Sequence, residues 1–210
     1  MIAVKAPAKA PVNRKRRRRT AEQARAEILG VAGRLLAQGG PDAVRLSAIA
    51  DEMGVTHPAL LRHFGTREEL LLALLRHAGR RMRAALAEAL PADGAAAPDL
   101  GAFAEALERI YRDEGYARLS IWLTLSGFQP QGSGMFRAAA EEAHRARSAR
   151  GRAPELEDTL FAVLLVNLAL WGDALAGNAF RRAVDLPGDR ATARRFREWL
   201  VRLVAAHLAQ

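Results

Sequence analysis

Residues 44–72 read VRLSAIADEMGVTHPALLRHFGTREELLL. The stretch begins with a short predicted helix, which Ser47 is expected to cap and which ends at Gly54, a residue type common just after helix ends. A second short helix is expected over residues 57–63, directly after Thr56, which is another preferred capping residue. Two short helices joined at a glycine are typical of a helix-turn-helix unit.

The small and apolar residues of this stretch fit the same unit. Ala50 is small where the two helices meet, and Gly54 can adopt the positive φ that a sharp turn requires. Ile49, Val55 and Leu60 supply a shared apolar contact. In such a unit the N-terminal residues of the second helix face base edges in the major groove of DNA. The candidate readers of DNA sequence are Thr56, His57, Ala59, Arg62 and His63.

Basic residues are concentrated around this unit. The chain has 210 residues and a net charge of +9, and residues 1–65 alone hold 12 basic and 5 acidic residues, a net charge of +7. Residues 14–19 are six consecutive cations, so residues 1–19 are expected to form a disordered basic arm. Its candidate DNA contacts are Arg16, Arg17, Arg18 and Arg19. A solvated basic tail without function is the alternative.

Other classes of protein find little support. The chain has no cysteine, which excludes disulfides and thiolate chemistry. It also lacks a phosphate loop, a nucleophile elbow and a complete set of metal ligands, so we expect no enzyme, no cofactor and no metal. No secretory signal opens the chain, which favours the cytoplasm. The apolar run 160–172 is shorter than the ~20 residues of a membrane span and is interpreted as a buried helix.

The rest of the chain shows helical periodicity and no convincing strand, so we predict an all-α protein of about nine helices. The first helix is expected over residues 21–38, and Thr66 with Glu69 has the spacing of a capping box. Asp99 and Thr192 are expected to cap later helices. The helices after the helix-turn-helix are predicted over residues 67–90, 99–111, 116–125, 135–150, 154–176 and 192–208.

The sequence resembles the TetR family of bacterial transcriptional regulators over about residues 20–72. The gap-free match ends in a His-Phe pair and a basic-acidic-acidic-Leu pattern. The residues that carry it are Ile28, Leu29, Ala32, Leu35, Leu36, 44–55 and 59–71. The resemblance implies a helix-turn-helix domain over residues 20–66, followed by a helical ligand-binding and dimerisation domain over residues 67–210.

The resemblance also assigns individual DNA contacts. It implies that Thr56 and His57 face DNA, that His63 lies beside the phosphate backbone and that Arg67 contacts a phosphate. The expected DNA-binding set also includes Arg45 and Ser47. Leu61 departs from the family, which usually has a tyrosine there whose hydroxyl bonds a phosphate. Either Arg62 and His63 replace that contact, or the basic arm compensates for a weaker one.

The last two helices are the expected dimer surface, because two helices from each subunit can form a four-helix bundle. The candidate interface residues are Phe161, Leu164, Leu165, Leu168, Phe196, Leu200 and Leu203. An apolar helix at the centre of a monomer is the alternative.

A small-molecule site is expected in the second domain, as is common in the family. Its candidate residues are Tyr111, Trp122, Phe128, Asn167 and Trp171, although aromatic residues at helical spacing also suit a plain core. The amide of Asn167 needs a partner, which is a ligand, a backbone carbonyl or its twin across the dimer. Because Asp173 is the one charged residue foreseen at the centre, we expect an apolar or mildly polar effector.

Together these features predict a sequence-specific transcriptional regulator. We expect a ligand-responsive repressor that binds a palindromic operator in double-stranded DNA as a homodimer and has no membrane partner. A non-specific architectural DNA-binding protein is the alternative.

Overall fold

The computed structural model describes residues 21–89, 99–128, 134, 136–149 and 155–209. These described residues form nine α-helices and no β-strand, so the predicted all-α fold is confirmed. The helices are α1 (Ala21–Gly39), α2 (Leu46–Met53), α3 (His57–Phe64), α4 (Arg67–Ala89), α5 (Leu100–Glu108), α6 (Tyr116–Leu125), α7 (Arg137–Ser148), α8 (Leu156–Ala183) and α9 (Arg190–Leu208). We call α1–α3 the head and α4–α9 the bundle.

The helix-turn-helix forms as predicted, with one correction at its start. Gly54 ends α2 in the left-handed conformation, with φ of 62°, and α3 follows after two further residues. Arg45, not Ser47, is the N-cap residue of α2, because the helix begins at Leu46. Its backbone is extended and its side chain makes no capping hydrogen bond, so packing rather than capping stabilises this end. Thr56 is the N-cap residue of α3, also without a capping hydrogen bond from its side chain.

The long helix α4 links the head to the bundle. The hydroxyl of Thr66 accepts a hydrogen bond from the backbone N–H of Glu69 at 3.1 Å, as the capping-box spacing predicts. The first turn also carries two acidic residues, which suit the positive end of the helix dipole. Leu70, Leu71 and Leu74 are fully buried, so the apolar stripe of α4 lies in the core.

The helix after the first bundle loop contains an unusual segment. Asp99 caps α5 as predicted, since its carboxylate accepts from the N–H of Ala102 at 2.9 Å. Residues Arg109–Asp113 continue α5 as a π-helical segment, with wider turns than an α-helix. Gly115 then takes φ of 79° and allows α6 to start in a new direction.

The last two helices differ from the prediction at their ends. α8 continues to Ala183, seven residues past the expected end. α9 begins at Arg190, and its cap is Asp189, whose carboxylate accepts from the N–H of Thr192 at 2.7 Å. Thr192 is therefore the bonding partner of the cap and not the cap itself.

A single hydrophobic core runs through the head and the bundle. Ile28 and Leu36 of α1 are buried together with Leu71 of α4 and Leu119 of α6. Shared burial of this kind resists independent motion of the two parts. The division of the chain into domains at residue 66 stays a prediction.

Among the described residues, α8 is long and apolar enough to cross a membrane. Its most apolar 18-residue window has a mean hydropathy of 1.8, and 28% of that window is buried. The helix is thus longer than the expected apolar run of residues 160–172, and the single chain buries it only in part. The buried side of α8 nevertheless carries Asn167, Asp173 and Arg181, which bind other side chains of the chain.

Candidate nucleic-acid interface

The outward face of α3 carries the predicted readers of DNA. Leu60 and Phe64 anchor the helix in the core, which leaves Thr56, His57 and Arg62 exposed. Ala59 and His63 are half-buried beside them. The five candidate readers therefore fall outside the buried stripe of one short helix, as groove insertion requires.

Two further candidates flank this face at the start of α2. Arg45 and Ser47 are both exposed, and Leu46 between them is buried. The start of a helix offers free backbone N–H groups to anions, so these positions suit phosphate contacts. The basic arm, with Arg16, Arg17, Arg18 and Arg19, lies outside the described residues.

Two arginines of α1 hold the helix-turn-helix in place. Arg25 donates a hydrogen bond to the backbone carbonyl of His63, and its guanidinium lies 4.3 Å from the centre of the Phe64 ring. Arg34 donates to the carboxylate of Glu52 in α2 at 2.6 Å. Neither arginine was predictable from the sequence, because no local motif links α1 to residues 18 and 38 positions further along.

Arg67 is directed into the protein. Its Nε donates to the carbonyl of Val44 at 2.8 Å, and its Nη2 donates to the carbonyl of Pro41 at 2.6 Å. Its guanidinium also lies 5.1 Å from the centre of the Trp122 ring of α6, and its side chain is only 25% exposed. Arg67 thus connects α4, the turn before α2, and the bundle helix α6.

A second contact joins α6 to the end of α1. Arg118 donates to the carbonyl of Ala37 at 3.3 Å, close to the C-terminus of α1 where cations are favoured. A Cβ atom on Gly115 would lie 3.0 Å from the carbonyl oxygen of Leu36, so only glycine fits this approach without displacement. The start of α6 therefore packs directly against the head.

Leu61, where the family usually has a tyrosine, is 37% exposed on α3. It has no hydroxyl to donate, and an apolar side chain on this face suits contact with a thymine methyl or a sugar. Arg62 and His63 follow it directly in the sequence.

Three of the predicted ligand residues make hydrogen bonds within the protein. Asn167 donates to the carbonyl of Val163 at 2.9 Å and accepts from the Tyr111 hydroxyl at 3.3 Å, so a backbone carbonyl and a tyrosine satisfy the buried amide. Burial raises the pKa of Tyr111 to about 12, which keeps it a neutral donor. Trp171 Nε1 donates to Ser120 Oγ at 2.8 Å.

The cavities found in the described part of the chain are lined by residues other than the predicted ligand residues. An enclosed apolar cavity of about 40 Å³ lies between α4, α5, α7, α8 and α9. None of the predicted ligand residues lines this cavity. Trp122 lies against Arg67, and Phe128 packs against the core.

Charged residues in the bundle interior contradict the expectation that Asp173 is alone there. Asp173 binds Arg112 of the π-helical segment and Arg181 of its own helix, and both Asp173 and Arg181 are more than nine-tenths buried. Arg112 also lies 3.6 Å from Glu108, which binds Arg197 of α9. This network was not predictable from the sequence, because its members come from separate helices. Its presence removes the argument for an uncharged effector.

Most of the predicted dimer residues are exposed on the single chain. Phe161 and Leu168 are more than half exposed, and Leu164, Leu165 and Leu203 are nearly half exposed. Phe196 is half-buried and stacks on the exposed Trp199, with ring centres 6.1 Å apart. Leu200 is an exception, because it is buried in the core of its own subunit and has no surface to offer a partner.

Known proteins share this arrangement. Residues 28–74 match the family model of bacterial regulatory proteins of the tetR family. Over these residues the chain is similar to the TetR family. The matched residues include α2, α3 and the first turns of α4, which are the elements that carry the candidate interface.

Two mycobacterial HTH-type transcriptional regulators are similar in sequence. The chain is 39% identical over 72 residues to the HTH-type transcriptional repressor Rv3405c of Mycobacterium tuberculosis H37Rv, and equally to the HTH-type transcriptional regulator Mb3439c of Mycobacterium bovis. Each match covers 34% of this chain and 38% of the relative, so it spans about two fifths of the length of these relatives.

Solved TetR-family structures share the fold over most of the chain. SCO4454, a TetR-family transcriptional regulator of Streptomyces coelicolor, is 22% identical with a TM-score of 0.59, over 89% of this chain and 96% of that one. A tetR-family regulatory protein of Rhodococcus RHA1 is 21% identical with a TM-score of 0.57, over 87% and 97%. At these identities the likeness shows the TetR fold, bundle included.

Proposed function

We propose that this protein is a TetR-family transcriptional regulator that binds specific DNA sequences and acts as a repressor. The observation that supports this most directly is the outward face of α3, where Thr56, His57 and Arg62 are exposed while Leu60 and Phe64 anchor the helix. The net charge of +7 in residues 1–65 adds the electrostatic attraction that DNA binding needs. A cytoplasmic location follows from this role.

Base readout is assigned to α3 and backbone contact to its surroundings. Thr56, His57, Ala59 and Arg62 are proposed to face base edges, and His63 is proposed to lie near a phosphate. Arg45, Ser47 and the basic arm add backbone contacts. Arg67 takes a different role from the one that the family resemblance implies, because its hydrogen bonds to Val44 and Pro41 occupy the guanidinium inside the protein. We assign it to positioning the turn before α2.

The partner on the apolar face of α8 and α9 is proposed to be a second copy of the chain. Exposed apolar side chains form a stripe along α8, and Trp199 and Leu203 continue it on α9. Pairing these two helices with their copies buries the stripe in a four-helix bundle and places two heads on one side of the dimer. This pairing suits a palindromic operator with half-sites one turn of DNA apart. It also accounts for the high hydropathy of α8 without a membrane.

A small effector is proposed to bind in the bundle and release the DNA. The apolar cavity has a volume of about 40 Å³, only slightly more than the ~30 Å³ that one molecule occupies in liquid water. This volume limits the size of an apolar effector that could bind there. Such a ligand requires the cavity to expand. Release requires that the effector prefer the conformation that does not bind DNA, since equal affinity shifts no population.

The experiment that tests the function compares two labelled duplexes by fluorescence anisotropy at fixed salt. One carries the sequence upstream of the gene for this protein, and the other is a random duplex of equal length. A regulator is expected to prefer the first by at least ~10³. Equal affinity for both would support the architectural alternative, and binding to neither would exclude both roles. Replacing His57 with Ala should reduce the preference more than it reduces binding to the random duplex.

A further inference from the structure

A charged cleft lies between the π-helical segment and the first turns of α9. Its volume is about 490 Å³, within the range of small-molecule sites. Five arginines and three carboxylates line it, which gives the lining a net charge of +2. It shares no lining residue with the apolar cavity, and Arg190, Arg194 and Arg197 reach it from the side of α9 away from the proposed dimer stripe.

Two of the three carboxylates in the cleft are already neutralised. Asp113 accepts from Arg190 at 2.8 Å. Glu108 accepts from Arg197 and lies 3.6 Å from Arg112. Glu105 is the remaining carboxylate, and it is exposed at the rim. The acids of the lining therefore leave part of its positive charge uncompensated.

Two of the arginines are held loosely. Arg109 Nε lies 3.7 Å from the closest carboxylate oxygen, on Glu114, and Arg194 Nε lies 4.0 Å from Glu198. Both distances exceed a normal hydrogen bond, and both side chains are more than half exposed. A guanidinium presents five N–H donors in a fork that matches carboxylate and phosphate oxygens. Arg109 and Arg194 each have one long ion pair, which leaves N–H donors that can bind such groups.

The interior behind the cleft also carries excess positive charge. Arg112 lines the cleft and shares the single carboxylate of Asp173 with Arg181. The Nε atoms of Arg112 and Arg181 are buried, and neither has a hydrogen-bond partner among the described residues. Buried donors without partners are costly, so this network favours an additional acceptor nearby.

The backbone of the cleft wall is also unusual. Arg109, Arg112 and Asp113 belong to the π-helical segment, and π-helical turns are rare and frequent at functional sites. The wider turns bring three charged side chains of one short segment to the cleft.

We propose that this cleft binds a small oxyanion, a molecule that carries carboxylate or phosphate groups. Arg109 and Arg194 grip the anion from the two walls, and Arg112 lies at the base of the site. Anion binding does not depend on the proposed DNA role, but the assignment of this anion as the effector rests on that role.

Titration of the full-length protein, without DNA, tests the site directly. Inorganic phosphate and succinate are the two probes, each added at constant ionic strength against chloride and followed by calorimetry and by the melting temperature. At least one probe should bind saturably and raise the melting temperature with concentration. The probe that binds more tightly identifies the chemical class.

The variants Arg194→Gln and Arg109→Gln should each weaken that binding about tenfold, because each removes charged hydrogen bonds to the anion. Arg145→Gln on α7 is the matched control, since Arg145 is equally exposed and pairs within its own helix. Arg62→Gln in the head controls for anions that bind at the DNA surface.

Two results would overturn the proposal: no saturable binding of either probe, or equal affinity in the two cleft variants and the wild type. Because this titration contains no DNA, its failure is distinct from failure of the operator assay. If the cleft binds a probe but operator affinity is the same with and without it, the site stands and the effector role is excluded.

Discussion

Arg67 illustrates how one residue can suit two incompatible roles. A cation at the start of α4 is well placed for a phosphate, yet its guanidinium donates to Val44 and Pro41 and lies against Trp122. The two roles predict different salt dependence of the DNA affinity, because only a residue that contacts a phosphate releases counterions from the DNA. Salt dependence therefore separates them.

Arg67→Ala should weaken operator binding and leave the slope of log K against log[salt] unchanged. It should also lower the free energy of unfolding by about 2 kcal/mol, because two buried carbonyls lose a charged donor. Arg62→Ala is the matched comparison and should reduce the slope by about 1 if that residue neutralises a phosphate. Affinity measured at four or more salt concentrations gives both slopes. Equal flattening in the two variants would show that Arg67 touches DNA.

The sequence could not distinguish these roles, because residue type and helix position are the same in both. What separates them is the position of two carbonyl oxygens more than twenty residues earlier in the chain. The exposed readers of α3 were predictable, since burial of Leu60 and Phe64 follows from helical periodicity.

At the scale of helices, the contact between α6 and α1 depends on a glycine. Gly115 combines φ of 79° with a close backbone approach, in which a Cβ would lie 3.0 Å from the carbonyl oxygen of Leu36. Gly127 has a similar φ of 88° at the other end of α6, but nothing lies within 4 Å of the position a Cβ would occupy. Alanine substitutions at the two glycines therefore separate two free-energy costs, that of the backbone conformation and that of the close contact.

Gly115→Ala should lower the free energy of unfolding by about 3 kcal/mol, and Gly127→Ala by about 1 kcal/mol. The difference arises because only the first substitution forces α6 away from the head. Urea unfolding of the two variants beside the wild type measures both values. Equal losses would mean that the contact with Leu36 adjusts at no cost.

Helix types were easier to predict than helix ends. The caps assigned to Ser47 and Thr192 were wrong by two or three residues, because Arg45 and Asp189 precede helices that start earlier. Gly177 and Asn178 are residue types common just after helix ends, but Arg181 binds both Asn178 and Asp173 and stabilises a further turn. These contacts lie within α8, eight and three positions apart, and the hydrophobic pattern does not indicate them.

At the scale of the whole molecule, the proposed assembly depends on the apolar stripe of α8 and α9. Its exposed members were predictable because an all-round apolar helix needs a second partner. The charged network behind Asp173 was not, since its ion pairs join residues up to 89 positions apart.

Leu168→Glu should convert the dimer to a monomer and weaken operator binding at least ~10²-fold, because each head then binds alone. Leu168 is 57% exposed at the middle of the stripe, so the charge enters the interface and not the subunit core. Leu125→Glu is the control, since Leu125 is 81% exposed on α6, outside the stripe. Sedimentation equilibrium gives the mass of each variant. A dimeric Leu168→Glu protein would rule out this stripe as the interface.

The long helix α4 has a geometric consequence. Its 23 residues form a rod of about 34 Å that starts under the reading head and ends deep in the other helices. A tilt of only ~5° at the far end displaces the near end by about 3 Å, comparable to the rise of one base pair. Small rearrangements far from the duplex are therefore magnified into a change of register, with no need for any segment to unfold.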